Sequence, residues 1–296
     1  MSNKIVSCYL MGGLGNQLFQ IFTTIAYGIS SQSTIIFPYS EVLTTGRDRP
    51  TYWDSFLAQL INFTTIKKSC IYNHDDPYTF IKYKEASFKY NPIPIVENRE
   101  IMLFGYFQSY LYFEHIKSTI FSMIHLDVQK NKIREEFSQL FARKTVDSPI
   151  RNISMHFRLG DYKNNPNIHP IMPFEYYSNA LGHTISKTDS RNIFRVLYFC
   201  ENEDNDYVNS IISLLSMSYS FIEFIKVVDN IADWKQMLIM SCCDDNIIAN
   251  SSFSWWAAYF NEKPDKIVCY PHVWFGREVN NNTEDLCPRT WNKIVW

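Results

Sequence analysis

Glycine is scarce in this chain, at nine of 296 residues. Glycines that rare stand in loops for backbone reasons, so Gly12, Gly13, Gly15 and Gly160 mark turns or close approaches. Charge of either sign is not in excess: 28 Lys and Arg against 30 Asp and Glu leave a net −2. That balance gives no bulk attraction to nucleic acid. No stretch reaches the ~20 apolar residues of a membrane span, and no basic-then-apolar leader precedes the first strand pattern near Lys4. The chain as given is expected to be soluble and cytoplasmic. Its seven cysteines are odd in number, include no C-x-x-C pair and fall in several cases within apolar runs. That is the pattern of reduced, buried thiols rather than of disulfides or a zinc site.

What is present is core-forming material, 46% hydrophobic and 16% aromatic. At this length two compact halves of about 150 residues are favoured over one large core. The polar stretch 142–149 is the expected boundary, giving domains 1–148 and 149–296. In the first, Ile5–Leu10 reads as a strand, Met11–Gly15 as a glycine turn, and Asn16 as the cap of a helix running to about Ser31. Ile35–Phe37 then reads as a second strand. This half-Rossmann pattern can bring backbone amides to an anion, but Gly13-x-Gly15-x-x-Leu18 lacks the third small residue of a dinucleotide site. A turn that places Asn16 and Gln17 at a cleft edge fits better. Residues 40–100 are aromatic and irregular (Tyr52, Trp53, Phe56, Phe63, Tyr72, Tyr78, Phe80, Tyr83). They read either as a surface that stacks on sugars or as the core of a loop-rich subdomain. A strand at Ile101–Phe107 and helical patterns over 109–124 and 129–141 follow.

Beyond the boundary, strand and helix alternate: strands 153–157, 194–200, 221–227, 246–249 and 266–270, with helices at about 174–184, 207–216, 232–242 and 252–260. Strict alternation predicts an α/β fold with a doubly wound parallel sheet. Ligands bind at the carboxyl ends of such strands. There the sequence places His156-Phe157-Arg158-Leu159-Gly160-Asp161-Tyr162, whose arginine offers a planar fork for two phosphate oxygens. The strand at 246–249 runs into Asn250-Ser251-Ser252-Phe253-Ser254, where hydroxyls and a helix start together favour an anion. Asp204-Asn205-Asp206 has the D-x-D spacing of some metal-dependent sugar transferases, but acidic residues also favour a first helical turn. Glu201 and Asn202, nearer the strand end, are set to meet a base or a ribose.

Taken in order, Gly12–Gln20, His156–Tyr162 and Ile248–Trp256 resemble the α-1,2-fucosyltransferases of glycosyltransferase family 11. Lesser matches lie at Ser87–Tyr90, Gly105–Ser109, Tyr176-Tyr177-x-x-Ala180 and Trp274-Phe275. The resemblance implies two Rossmann-like domains facing a cleft (GT-B-like), and transfer of L-fucose from GDP-β-L-fucose to the 2-hydroxyl of a terminal β-galactoside. It also implies inversion at the anomeric carbon and no metal or other cofactor. By the same resemblance Arg158 meets the β-phosphate, His156 lies beside the nucleotide, and Gly13, Asn16 and Gln17 belong to the loop facing the donor. Ser251, Ser252 and Ser254 match the hydroxyl-rich helix start, with Asn250 before it. Asp161 is the first candidate for the proton acceptor, or a brace for Arg158. Glu85 and His169 are candidates for the acceptor side, with Glu85 also a second possible base. The sequence departs from the family pattern at Leu159, where a second arginine is common, at Phe199-Cys200-Glu201-Asn202 and at Ala257. The alternatives are a fucosyltransferase of another linkage, such as α-1,6, a metal-dependent enzyme using Asp204 and Asp206, and a silent glycan-binding relative.

Overall fold

The computed structural model describes residues 4–68, 80–96, 100–141 and 150–296. Tyr72, Tyr78, Cys70 and the expected boundary at 142–149 lie outside these residues. The chain divides into two compact units, one of residues 1–127 with 281–288 and one of 128–280 with 289–296.

The first unit has a four-stranded parallel sheet in the order β2-β1-β6-β5, built from β1 (Ile5–Cys8), β2 (Thr34–Ile35), β5 (Phe80–Lys84) and β6 (Glu100–Phe104). A short antiparallel pair, β3 (Val42–Leu43) with β4 (Arg49–Pro50), lies apart from it. Helix α1 (Leu14–Ser31) crosses from β1 to β2 with Leu18, Ile21, Phe22 and Ile25 fully buried. Its N-cap is Gly13 rather than Asn16, because the Asn16 amide already bonds the Gly13 carbonyl at 3.0 Å. The expected single helix over 109–124 is divided into two 3₁₀ turns and α3 (Lys117–Met123), after the small α2 (Thr65–Lys68). Tyr52, Trp53 and Phe56 are buried, with Trp53 5.4 Å from Phe37. These aromatics build core, so the sugar-stacking alternative does not hold for them.

The second unit carries α4 (Leu126–Glu136, most of its length), β7 (Ile150–His156), α5 (Phe174–Ser186), β8 (Ile193–Phe199), α6 (Asn205–Ser218), β9 (Glu223–Lys226), α7 (Asp233–Cys242), β10 (Asp245–Ile247), α8 (Ser252–Phe260), β11 (Val268–Pro271) and β12 (Asn292–Ile294). Its six strands are all parallel, in the order β12-β11-β10-β7-β8-β9. The chain starts in the middle at β7, steps outward to β9, then returns to the other side of β7. That is the Rossmann order, and its switch lies between β7 and β10.

Buried polar groups pin the switch. Arg151 on β7 grips Asp245 on β10 with both ends of its fork, at 2.6 and 2.8 Å, and the Asp245 side chain is fully buried. Asn246 donates to Ser154 Oγ at 2.7 Å and to the Met240 carbonyl at 2.9 Å, while accepting from Asn261 at 2.8 Å. These bonds fix the register, with Ile247 opposite Met155, so both strands end almost level. Leu159, where a second arginine is common in the family, packs into this unit's core. Six cysteines among the described residues are free and buried, which agrees with reduced thiols. No helix among the described residues is long and apolar enough to cross a membrane.

Removing one partner of a buried ion pair leaves an uncompensated charge, at a cost of about 3–5 kcal/mol. Arg151→Ala is therefore expected to lower the urea midpoint of the second unit by that equivalent, whereas Arg191→Ala, on a fully exposed pair, leaves it unchanged.

Candidate functional site at the strand-order switch

The loop after β7 carries Arg158, which pairs with Asp161 at 2.5 Å and also with Glu201 at the end of β8. The arginine side chain is about one-fifth exposed, and its guanidinium carbon sits 5.2 Å from the Tyr162 ring centre. Two carboxylates and an aromatic face thus hold a cation at the crevice mouth. Asp161 is placed as the brace of Arg158. Gly160 has φ +33°, and a Cβ there would meet Glu201 Oε2 at 2.7 Å. The positive φ favours glycine there, and a side chain would also push the Glu201 carboxylate aside.

Asp204, read as half of a possible metal pair, anchors the same loop. Its two oxygens accept from the Gly160 amide at 2.9 Å and from Lys163 Nζ at 2.5 Å, and its side chain is fully buried. Asp206 lies in the first turn of α6. Among the described residues no group of three or more His, Cys, Asp or Glu is placed to hold a metal.

His156 ends β7 with its imidazole buried beside Phe253, ring centres 5.5 Å apart. Burial, aided by Arg158 and then Lys226, lowers its pKa to about 3, so the ring is neutral. Its Nδ1 has no hydrogen-bond partner among the described residues. Tyr162 donates to the Asn250 carbonyl at 3.0 Å, joining the loop after β7 to that after β10. Asn250 in turn donates to the Pro170 and Trp274 carbonyls at 2.9 and 3.1 Å. Its amide therefore clamps three loops together, and only Oδ1 stays without a partner among the described residues.

At the start of α8, Ser251 is the N-cap, accepting from the Phe253 amide at 3.3 Å. Ser254 is fully buried and bonds back to the Ser251 carbonyl at 3.4 Å, so it stabilises the helix start from within. Ser252, half-buried in the first turn, is the serine best placed at the helix end. His169 is not an exposed loop residue: it stacks on Tyr162 with ring centres 4.5 Å apart and lies 6.0 Å from Phe275. Its pKa is lowered, chiefly by burial.

The residues of the first unit form a separate constellation at the carboxyl ends of β1, β5 and β6. Gly12 has φ +79°, and a Cβ there would meet Asn16 Nδ2 at 2.5 Å. Gln17, expected to face the donor, is buried and donates to the Gly12 and Pro50 carbonyls at 3.0 and 2.9 Å. Gln20 exchanges two bonds with the Met11 backbone at 3.0 and 3.2 Å. Both glutamines thus brace the glycine turn. Asn16 is half-buried and accepts from Gln108 at 2.9 Å. Glu85 follows β5, with its carboxylate against the backbone after β6.

Sequence reading gave no role of their own to Tyr162, Lys226 or Gly276, and gave Asp204 only the metal or helix-start alternatives. Lys226 ends β9, reaches the Cys200 carbonyl at 3.4 Å and pairs with Asp229. Gly276 lets two loops touch, since a Cβ there would lie 2.1 Å from the Asn167 carbonyl oxygen. A search of the strand ends alone would have found Lys226; the others depend on contacts distant in sequence.

A parallel sheet in Rossmann order, with an arginine fork and a capped helix start at its switch, defines the class of α/β proteins that hold phosphorylated ligands on a strand-end crevice. The chain belongs to Glycosyl transferase family 11, whose profile matches residues 7–295, and is a glycosyltransferase. It is 26% identical to the O-antigen biosynthesis glycosyltransferase WbnK of Escherichia coli, over 96% of this chain and 98% of that one. It is 25% identical to an alpha-1,2-colitosyltransferase of Escherichia coli, over 98% and 99% respectively. Among solved structures it is similar to a mutant of Arabidopsis thaliana FUT1 in complex with GDP, with 11% identity, a TM-score of 0.49, and coverage of 99% of this chain and 76% of that one.

Because the folded His156 is neutral, the unfolded chain gains a proton below pH ~6.5 that the folded chain refuses until about pH 3. Stability therefore falls with acid across this window. Relative to His156→Gln, the wild type is expected to lose up to about 1.4 kcal/mol per pH unit between pH 6 and 4, read from urea midpoints.

Proposed function

We propose that this chain transfers L-fucose from GDP-β-L-fucose to the 2-hydroxyl of a terminal β-galactoside, inverting to the α-linkage. The observation that carries the reading is that Tyr162, whose ring lies against Arg158, bonds the Asn250 carbonyl just before α8, so that the arginine loop and the helix start are joined at the switch between β7 and β10. A nucleoside diphosphate needs countercharge and N–H donors at just such a place. Support for the 1,2-linkage comes from the family resemblance and from the name of the colitosyltransferase relative. That name also favours a second reading in which colitose, in the same linkage, is the sugar transferred.

In the proposed reaction the bond from the fucosyl anomeric carbon to the β-phosphate oxygen breaks through a cation-like transition state. The acceptor oxygen bonds to the same carbon from the opposite face. Charge growing on GDP is met by the Arg158 fork and the first turn of α8, so no metal is needed for it. Asp161 keeps the fork aimed, and Tyr162 supports it from below. His156 offers a neutral ring beside the nucleotide, and Glu201 stands where ribose or base would lie. His169 lines the loop side of the acceptor. Six buried thiols fit a reducing compartment, and we place the enzyme in the cytoplasm.

The test is transfer from GDP-fucose to lactose or N-acetyllactosamine in EDTA, with the linkage read by NMR and a colitosyl nucleotide as competing donor. A 2-linked product is expected at undiminished rate in EDTA. Arg158→Ala is expected to lower kcat/KM about 10²–10³-fold, with Arg158→Lys close behind because the fork is lost. A 6-linked product supports the other linkage, and a rate abolished by EDTA supports the metal reading. Binding of GDP-fucose without transfer to any galactoside rejects the acceptor.

A further inference from the structure

Arg158 commits both ends of its fork to carboxylates. One terminal nitrogen donates to Asp161 at 2.5 Å and the other to Glu201, which stands in the loop after β8. The side chains of Arg158, Asp161 and Glu201 are 21%, 42% and 46% exposed, so the cluster opens to solvent. A guanidinium makes its strongest contacts with paired oxygens through those same two ends. Carboxylate and phosphate oxygens therefore compete for one set of donors.

The two carboxylates are held differently. Asp161 shares the loop of Arg158 and lies in the first turn of the 3₁₀ segment Gly160–Asn164, which fixes its distance from the arginine. Glu201 comes from the loop of the neighbouring strand, on a longer side chain, and makes no capping bond to the 3₁₀ turn it precedes. Among the described residues its carboxylate bonds Arg158 and nothing else. Gly160 leaves the gap in which that carboxylate lies, since a Cβ there would be 2.7 Å from Glu201 Oε2. Asp161 is thus a fixture of the arginine loop, whereas Glu201 has a single attachment.

Charge decides that one of them yields to a larger anion. Burial works to lower the Arg158 pKa, and Glu201 first, then Asp161, outweigh it and hold the value above the ordinary one. Both acids therefore supply countercharge to the arginine. Lys163, in the same loop, is already bonded to the buried Asp204. A diphosphate added to this cluster would set two carboxylates and several phosphate charges against one guanidinium. Like charges that close disfavour one another strongly, so a carboxylate has to leave the fork. The exposed glutamate with one bond is the easier one to move.

We propose that Glu201 competes with the diphosphate of the donor for Arg158, carboxylate and phosphate oxygens taking the same end of the fork in turn. The inference rests on the function proposed above. With Glu201 on the arginine the fork is aimed but covered. A diphosphate then binds in proportion to the fraction of molecules in which the glutamate has moved aside. The same exchange in reverse serves the leaving group: after transfer, Glu201 returns to the fork and displaces GDP. The glutamate thereby tunes donor affinity and product release without touching the sugar.

The experiment measures binding of inorganic pyrophosphate by calorimetry, with the urea midpoint as a check on folding. Pyrophosphate is the probe because it lacks the ribose and base beside which Glu201 also stands. Glu201→Gln keeps the shape and removes the charge, and is expected to bind pyrophosphate about tenfold tighter than wild type. Glu203→Gln removes the same charge from an exposed neighbour and is expected to change affinity by less than about twofold. Arg158→Ala is expected to lose binding, and adding Glu201→Gln to it to recover none. A folded Glu201→Gln that binds pyrophosphate no better than wild type overturns the proposal; weaker binding would make the glutamate a brace. Equal gains from Glu201→Gln and Glu203→Gln overturn it too, since bulk charge would then suffice. GDP bound equally by wild type and Arg158→Ala overturns the diphosphate reading itself, and this proposal with it.

Discussion

The second unit depends on a buried polar lock between two neighbouring strands. Asp245 and Asn246 stand side by side on β10, with no exposure to water, and each reaches a partner on β7. An unpaired charge or amide there would be heavily penalised, so alternative registers of β10 are excluded more strongly than hydrophobic packing alone would exclude them. The arrangement forces the loops after β7 and β10 to emerge level. Tyr162 can then bond the Asn250 carbonyl, and Asn250 can gather the loops bearing Pro170 and Trp274. The site is a consequence of register before it is a consequence of residue type.

Within that frame the arginine is surrounded by acid. Asp161 and Glu201 neutralise Arg158, while Asp204 secures the loop from below through Gly160 and Lys163. A lone buried guanidinium would be costly to hold in place; one flanked by carboxylates is held at a fixed orientation. The fork is therefore already aimed, and the ordering entropy of that side chain is largely settled within the fold.

Much of this was legible in the chain. The alternation of apolar runs and capped helices after residue 150 revealed the parallel sheet, because strands buried on both faces read as continuous hydrophobic segments. Helix α8 over Ser252–Phe260 has the bounds its Asn-Ser-Ser cap announced. Strand β5 was hidden, since Phe-Ile-Lys-Tyr-Lys has half-exposed, cationic positions and follows an aromatic stretch with no periodicity. Strand β12 is too short to announce itself. At the site, Arg158 and His156 stood out by type, but Asp204 looked like helix-capping acid or metal ligand until its contacts with Gly160 and Lys163 were seen. Gln17 looked like a donor contact because it stands in the loop that the family resemblance sets facing the donor, and only its burial and its bonds to Gly12 and Pro50 show that it serves the glycine turn.

The path of the chain carries one more consequence. Residues 281–288 belong to the first unit, where Asp285 takes bonds from Tyr90 and Ser109, while the strand that follows completes the sheet of the second. The polypeptide thus changes unit three times. Neither unit is a contiguous segment, and a single crossover between related genes cannot exchange one whole without leaving β11 bare or the Asp285 segment mismatched. Variation in donor and in acceptor use within such a scaffold is therefore channelled into point changes along its loops, rather than into the shuffling of intact halves.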